Sequence, residues 1–259
     1  MGGFDLSVSG MIVASALIIT QLRAQEGWSF PVALLIAVAG AGILGALAGQ
    51  ICHRFQIQPL IVTLAIGVMA VGFVQTQTGG LISGSAPSWA ARLTSPVSKT
   101  FGIDIPPAVA IWALVTVLMA CFIHRTAPGR RLLATGANPA AAEFSLINTR
   151  RVWTIAFAFS MVASALVGVL IAGFAGTVEG TIGDPYLFQS VVAVIVGGTV
   201  FGGPGDYTRT VVGALFVTVV TIVLVGHGAT AAQYQIVLGL AILVAVALYG
   251  RERRLRDRI

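Results

Sequence analysis

Residues 152–174 read VWTIAFAFSMVASALVGVLIAGF, a run without a single charged side chain. A helix that crosses the hydrocarbon core of a bilayer needs about 20 consecutive, predominantly apolar residues. A run this long and apolar on every face predicts a transmembrane helix, because a surface helix of a soluble domain keeps one polar face. The segment therefore indicates a membrane protein.

The composition of the whole chain supports the same conclusion. Of its 259 residues, 57% are hydrophobic and only 9% are charged, and the mean hydropathy is +0.95. Soluble domains average about 45–50% apolar and about 25% charged residues. So few charges cannot cover the surface of a soluble domain, which excludes an ordinary cytosolic enzyme, a disordered regulator and a nucleic-acid-binding protein. We expect an all-α, polytopic bundle of membrane helices.

The apolar pattern predicts eight membrane spans. Tyr186–Thr199 is too short for a full span, so we expect it to be broken or tilted. The other seven are Leu6–Leu22, Phe30–Ile51, Ile57–Thr76, Pro106–Ile123, Val152–Phe174, Thr210–Gly226 and Tyr234–Tyr249.

Basic residues predict the orientation, because lysine and arginine favour the cytoplasmic side. The loop His124–Arg151 and the tail after Gly250 hold five arginines each, and Arg54 and Arg209 lie in short links. Eight spans place all four segments inside, with both termini cytoplasmic. Three basic residues fall outside: Arg23, Arg92 and Lys99.

The loops between the spans predict no separate soluble domain. Gln75–Ile105, the longest on the outer side, is rich in Ser, Gly, Thr and Pro and cannot bury a core of its own. We therefore expect one transmembrane domain over residues 1–259, with residues 124–151 as its cytoplasmic loop. The basic tail is interpreted as a contact with anionic lipid.

The sequence lacks the residue patterns of common catalytic sites. Lys99 is not preceded by a phosphate-binding glycine loop, and the three histidines lie far apart at span ends. The spans are almost free of charged residues, so a proton relay has few candidates. We expect no enzyme activity, cofactor or metal. Two classes of function remain: a passive channel, and a transporter that uses the energy of another protein.

The cytoplasmic loop contains an unusual segment, Gly129–Ser145. Asn138 is suited to cap a helix whose first residue is Pro139, and the helix is expected to continue to Phe144. Glu143 is expected near the positive end of this helix. Two interpretations are open: a docking element for a partner protein, or a surface helix that lies on the membrane.

Three motifs resemble those of permease subunits in ribose-type ABC sugar importers. The loop matches that family's coupling-loop pattern at Gly129, Arg130, Ala134, Gly136, Asn138, Ala141 and Ala142. Gly2–Val8 is similar to its Gly-Gly-Ile-Asp-Leu-Ser-Val start. The third match comprises Gly197-Gly198-Thr199, Gly202-Gly203-x-Gly205 and Gly213-Ala214-Leu215. The motifs follow the family's order, and the resemblance covers the whole chain.

The chain departs from the family pattern at three places. Val8-Ser9-Gly10 stands where the family has Val-Gly-Ser, and Leu146 stands where a glycine is expected. Family members usually carry roughly two more spans before the Asp5 motif. The resemblance therefore predicts that this chain lacks the usual first two spans.

The resemblance implies a permease subunit of an ATP-driven importer in a bacterial inner membrane. The implied cargo is a monosaccharide (ribose-, xylose- or galactose-like), delivered by an extracytoplasmic sugar-binding protein. The other implied partners are ABC ATPase subunits and a second copy of the permease or a related one. The residues implied to couple the loop to the ATPase are Gly129, Arg130, Gly136, Asn138, Ala141, Ala142 and Glu143.

Further candidate residues lie outside the loop. Asp5, Ser7 and Gln189 are candidates for the transport pathway, and Glu179 and Asp184 are candidates for contacts with the binding protein. Asp5 is also suited to cap a helix, Gln189 to bond a neighbouring helix, and the other two acids to a solvated loop. A passive channel or an ABC permease for branched-chain amino acids is the alternative function.

Overall fold

The structure, a computed structural model, describes residues 3–79, 84–199 and 205–256, and every regular element in these ranges is a helix. This confirms the predicted all-α class. The helices are α1 (Val8–Leu17), α2 (Arg23–Glu26), α3 (Phe30–Phe55), α4 (Pro59–Thr78), α5 (Ser88–Thr94), α6 (Pro107–Arg125), α7 (Ala127–Ala137), α8 (Pro139–Phe144), α9 (Thr149–Ala175), α10 (Asp184–Val196), α11 (Tyr207–Gly226) and α12 (Ala231–Arg256).

Each of the eight predicted spans corresponds to a helix. A π-helical turn, Ile18–Leu22, joins α1 to α2 into one continuous helix. Among the described residues, six helices are long and apolar enough to cross a membrane: Val8–Glu26, Phe30–Phe55, Pro59–Thr78, Pro107–Arg125, Thr149–Ala175 and Tyr207–Gly226. Asp184–Val196 and Ala231–Ala247 are shorter apolar helices. With 13 residues, α10 is about 20 Å long, which is less than the ~30 Å of a hydrocarbon core.

The described chain divides into two compact units. The larger comprises Asp5–Leu118 and Asn148–Pro185, and the smaller comprises residues 3–4, Met119–Ile147 and 186–256. The sequence predicted a single transmembrane domain over residues 1–259, and the division into two compact units does not test that prediction.

The larger unit is built on the antiparallel pair α3 and α9. A Cβ atom on Gly45 would lie 2.5 Å from the Phe157 carbonyl oxygen, and one on Gly49 would lie 2.6 Å from that of Trp153. Small residues let the two backbones approach closely, which is how membrane helices gain van der Waals contact without a hydrophobic effect between them. The core beside this seam comprises Met11, Ala41, Ala48, Cys52, Val62, Met161 and Ala165.

Helix α1 is the buried centre of the larger unit, since every residue from Gly10 to Leu17 is buried. It contacts α4 where a Cβ atom on Gly10 would lie 2.5 Å from the backbone of Gly67. On its other side Gly168 of α9 lies against the Ile12 carbonyl. Protein contacts on both sides of α1 leave it little room to face lipid.

The segment after α9 does not stay at the outer end of the unit. The Val178 carbonyl accepts a hydrogen bond from Gln21 Nε2 at 2.7 Å, and a Cβ atom on Gly183 would lie 2.5 Å from the Ser9 carbonyl. Gln21 and Ser9 are twelve residues, and so about 18 Å, apart along one helix. The segment therefore runs back along α1 from Gln21 toward Ser9.

The long outer loop contains a short helix that uses the core of the larger unit. Ala90 of α5 is 1% exposed and lies against Gly173 of α9, and the rings of Trp89 and Phe30 pack edge to face with their centroids 4.6 Å apart. The sequence indicated that Gln75–Ile105 has no core of its own. The structure adds that its middle part packs on the membrane helices instead.

The smaller unit contains α10, α11 and α12 around one cluster, comprising Val192, Ala193, Val217, Tyr234 and Leu238. Gly213 lies against the Ala193 carbonyl, and a Cβ atom on Gly197 would lie 2.8 Å from the Arg209 carbonyl. These two glycines of the third motif thus permit α10 and α11 to pack closely. Gly202 and Gly203 of that motif, and Gly2 of the start motif, lie outside the described residues.

Candidate functional site: the loop between α6 and α9

The loop begins with a tight connection between α6 and α7. Thr126 caps α7, since its hydroxyl accepts from the Gly129 amide at 3.2 Å and donates to the Phe122 carbonyl at 2.6 Å. Gly129 is buried against the carbonyls of Phe122 and Ile123, where a Cβ atom has no room. The first predicted loop residue, Gly129, therefore sets the direction in which α7 leaves the membrane helix.

Helix α8 has the cap that the sequence predicted. The Asn138 side-chain oxygen accepts from the Ala141 amide at 3.0 Å, and Pro139 is the first helical residue. The expected position of Glu143 is wrong, because α8 is only six residues long and Glu143 falls in its last turn rather than near its positive end. Its charge therefore does not stabilise the helix through the dipole.

The C-terminus of α8 forms a Schellman motif, a reversal with two characteristic hydrogen bonds. The Leu146 amide donates to the Glu143 carbonyl at 2.9 Å, and the Ile147 amide donates to the Ala142 carbonyl at 3.0 Å. The residue that turns the chain, Leu146, has a left-handed backbone with φ +60°. The next helix follows at once, capped by Asn148, which accepts from the Arg151 amide at 2.9 Å.

The predicted coupling residues divide into two groups in the structure. Gly129 and Ala142 are buried and hold the local fold, and Gly136 is half-buried. The exposed group, which is available to a partner, comprises Arg130, Asn138, Ala141 and Glu143. Sequence reasoning missed two exposed apolar side chains beside them, Phe144 and Leu146. The only sequence signal was that both are large apolar residues in a loop outside the spans.

Asp5 and Ser7 lie together at the start of α1. Asp5 Oδ1 accepts from the Ser7 amide at 2.8 Å and from the Ser7 hydroxyl at 2.5 Å, and the Leu6 amide donates to Thr63 Oγ1 at 2.9 Å. This arrangement is an Asx turn, which starts the helix. The second carboxylate oxygen, Oδ2, is buried and has no hydrogen-bond partner among the described residues. An unpaired buried oxygen is free to accept from a ligand hydroxyl.

The remaining candidates lie apart. Glu179 and Asp184 are exposed in the segment that runs back along α1, in the larger unit. Gln189 is half-buried on α10, in the smaller unit.

A cavity of about 760 Å³ opens in the larger unit between α1, α3 and α4. Its walls are mostly apolar, as at Ala37, Met69 and Phe73, and its few polar lining residues include Ser15, Glu26 and Gln77. So few hydrogen-bonding groups cannot replace the water around a polyhydroxylated molecule. This cavity is therefore not suited to a sugar.

Comparison with known proteins supports the resemblance to permease subunits that the motifs indicated. The model of a family described as "Branched-chain amino acid transport system / permease component" matches residues 1–247. The fructose import permease protein FrcC of Rhizobium meliloti is 31% identical over 258 residues, which is 95% of this chain and 70% of that protein. The ribose import permease protein RbsC of Haemophilus influenzae is 28% identical over 84% of this chain and 67% of its own length.

Another relative is named for a different cargo. The autoinducer 2 import system permease protein LsrC of an Enterobacter strain is 29% identical over 98% of this chain and 73% of its own length. No solved structure matches the chain. The resemblance to ribose-type import permeases is thus confirmed at the level of family. By its helices and by these matches, the chain is a multi-pass membrane protein that belongs to the family of branched-chain amino acid transport system permease components.

Proposed function

We propose that this chain is the membrane-spanning permease subunit of an ATP-driven importer that carries a monosaccharide across a bacterial inner membrane. Support comes from relatives named as import permeases for fructose and ribose and as a transporter permease for galactofuranose. The cargo is ribose-, xylose- or galactose-like. The matching family is described by branched-chain amino acid transport, so such an amino acid is the second candidate cargo.

The observation that carries the proposal is the capped loop helix. Three successive caps, at Thr126, Asn138 and Asn148, define where α7, α8 and α9 begin, and only one to four residues separate one helix from the next. A passive channel has no need of a loop whose helix starts are each capped. A subunit that receives force from an ATPase needs it, because a slack loop would absorb the motion.

In the proposed mechanism, separate ABC ATPase subunits bind this loop through Arg130, Asn138, Ala141 and Glu143. Their closure on ATP changes the contacts made at α8 and so shifts the permease between its outward-open and inward-open states. Gly129, Gly136 and Ala142 act through the fold of the loop. An extracytoplasmic sugar-binding protein delivers the cargo, and Glu179, next to the residue bonded to Gln21, is proposed to contact it. Asp184 follows Gly183, which lies against Ser9 toward the other end of α1, and is therefore not proposed for this contact. A second copy of this chain, or a related permease, completes the pathway.

Asp5, Ser7 and Gln189 are proposed to line the route of the cargo. The unpaired Oδ2 of Asp5 supports this role, because a buried carboxylate oxygen is costly unless it finds a donor. A sugar hydroxyl passing the start of α1 supplies one.

The proposal is tested by purifying the tagged protein in mild detergent from its native membrane and identifying the proteins bound to it by mass spectrometry. Wild type is compared with Glu143→Arg in the loop. Glu26→Arg, the same charge reversal at the end of α2, is the matched control. We expect an ABC ATPase subunit with wild type and with the control, and at least tenfold less of it with Glu143→Arg.

Radiolabelled uptake separates the alternatives. A permease of this kind loses ATP-dependent monosaccharide uptake with Glu143→Arg. Unchanged uptake in that variant, together with purification of the protein without any ATPase, would identify a passive channel instead. Uptake of leucine but not of ribose, xylose or galactose would assign the amino-acid cargo.

A further inference from the structure

Phe144 and Leu146 are the most exposed large apolar side chains of the loop between α6 and α9. Phe144 is 90% exposed and Leu146 is 96% exposed. Other exposed apolar residues of the chain lie mainly on the membrane helices, where lipid covers them. These two lie at the end of a capped helix, outside the spans, in a segment that holds five arginines and one glutamate. In water their exposure is unfavourable, and a partner surface would remove it.

The backbone of Leu146 is in a conformation that leucine disfavours. Leu146 is the residue just past the C-cap in the Schellman motif, where φ is +60°. This position favours glycine, because a Cβ atom crowds the following carbonyl in the left-handed region. A glycine would make the same two hydrogen bonds without that crowding.

Among the described residues, no side-chain contact of Leu146 compensates for the strain in its backbone. The Leu146 side chain packs on almost nothing, as its 96% exposure shows, while the two hydrogen bonds of the motif use only backbone atoms. Strain that is retained without a structural gain indicates a functional use. The left-handed turn fixes the side chain in one direction, one residue beyond the solvent-facing Ser145 and two beyond Phe144.

A fixed direction favours a protein pocket over a membrane surface. A fluid bilayer accepts an apolar side chain from many backbone conformations, so a strained and capped display has no advantage there. A protein pocket of defined shape binds such a side chain more tightly, because the side chain is already ordered before binding and less entropy is lost. The loop sequence also holds five arginines, Arg125, Arg130, Arg131, Arg150 and Arg151, and this positive charge favours a partner surface that is acidic.

We propose that Phe144 and Leu146 form an apolar anchor pair that enters a pocket with an acidic rim on the ATPase subunit, and that Leu146 favours this contact at the expense of the permease's own stability. The inference rests on the proposed function, and it names the side chains that determine the affinity. It predicts two opposite effects: removing the Leu146 side chain weakens the complex of the permease with the ATPase subunit, and it stabilises the permease on its own.

The test compares Leu146→Gly with Phe101→Gly. Phe101 is a matched control for binding to the ATPase: it too is a fully exposed apolar residue with a left-handed backbone, φ +50°, but it lies in the outer loop, on the side of the membrane opposite to a cytoplasmic ATPase. Each change relieves similar strain. We expect the thermal midpoint of the purified permease to rise by about 2–4 °C in both variants. We expect the Kd of the ATPase subunit to rise about tenfold in Leu146→Gly alone.

A second measurement examines the membrane as the alternative. Leu146→Cys in a Cys121→Ser background is labelled with an environment-sensitive fluorophore in lipid nanodiscs. We expect spin-labelled lipid to leave the emission unchanged, and the ATPase subunit to shift it to shorter wavelength. Quenching by the lipid without the ATPase would overturn the proposal in favour of membrane contact.

The experiments distinguish refutation of the anchor pair from refutation of the proposed function. If Leu146→Gly binds the ATPase as tightly as wild type while Glu143→Arg does not, the anchor pair is wrong and the importer function stands. If wild type itself binds no ATPase, both fail. Equal weakening by Phe101→Gly would also overturn the proposal, because the effect would then not belong to the loop.

Discussion

Asp206 illustrates how a single side chain starts a membrane helix in the smaller unit. Its Oδ1 accepts from the Thr208 hydroxyl at 2.5 Å, the Thr208 amide at 2.8 Å and the Arg209 amide at 3.3 Å, at the first turn of α11. These bonds, that of the Thr208 hydroxyl above all, hold the pKa of the Asp206 carboxyl below its ordinary value of 3.8. The carboxylate therefore stays charged and caps the helix in mild acid.

Asp206→Ala should destabilise the protein by about 1 kcal/mol at pH 7, the usual cost of losing an N-cap. Because the folded pKa is the lower one, this stabilisation is complete above the unfolded value and is lost as the pH falls through the folded value. Thermal unfolding in detergent at pH 7 and at pH 3 measures it. The gap between wild type and variant should narrow at pH 3. A variant that melts with wild type at pH 7 would contradict the role of the cap.

Single residues also mark how far sequence reasoning extends. Asn138 was predictable, because asparagine followed by proline is a local signal that needs no tertiary information. The left-handed backbone of Leu146 was not predictable, since leucine carries no sequence signal for that conformation. The one indication was the family resemblance, which has a glycine at this position. The second carboxylate oxygen of Asp5 was equally hidden, because its lack of a partner depends on residues far along the chain.

At the scale of elements, the contact between α3 and α9 depends on where a glycine lies around the helix. Gly45 lies in the seam, against the Phe157 carbonyl, whereas a Cβ atom on Gly40 of the same helix would meet nothing within 4 Å. The same residue type therefore has opposite roles a few positions apart.

Gly45→Ala should destabilise the protein by about 1–3 kcal/mol, because the added methyl group forces two backbones apart. Gly40→Ala should be neutral or stabilising by up to about 1 kcal/mol, since alanine favours helix. Thermal unfolding followed by size-exclusion chromatography compares the two. If both variants melt alike, the close approach of α3 and α9 is wrong.

The elements themselves were largely predictable, and their connections were not. Long apolar runs have few alternatives to a helix, so all eight spans correspond to helices, including the short one at Tyr186–Thr199. The path of the segment before it was not predictable. It depends on the contacts of Val178 with Gln21 and of Gly183 with Ser9, which join residues 157 and 174 positions apart in the sequence.

At the scale of the whole molecule, the distribution of arginine predicts which face is cytoplasmic. Ser145 lies in the arginine-rich loop and Ser98 in the outer loop, so the eight-span arrangement places them on opposite sides of the membrane. The two native cysteines, Cys52 and Cys121, are free thiols that can be replaced.

In a Cys52→Ala, Cys121→Ser background, a cysteine at position 98 should react with a membrane-impermeant maleimide in intact spheroplasts, and one at position 145 should not. Both should react after the membrane is disrupted, which serves as the control. Labelling of both in intact spheroplasts would require an even number of crossings between them and refute the eight-span topology as drawn.

The segment from Val178 to Gly183 has a consequence for solvation. It follows α1 through turns rather than as a helix, so its peptide groups lie beside a buried helix but outside any regular hydrogen-bond ladder. Lipid tails offer such groups neither donors nor acceptors, and only protein or water can do so. Here the protein supplies them: the Val178 carbonyl accepts from Gln21, and the Ile182 and Asp184 amides donate to the Glu179 and Thr181 carbonyls. The chain thus solvates its own irregular backbone, and this segment does not depend on the bilayer for hydrogen bonds.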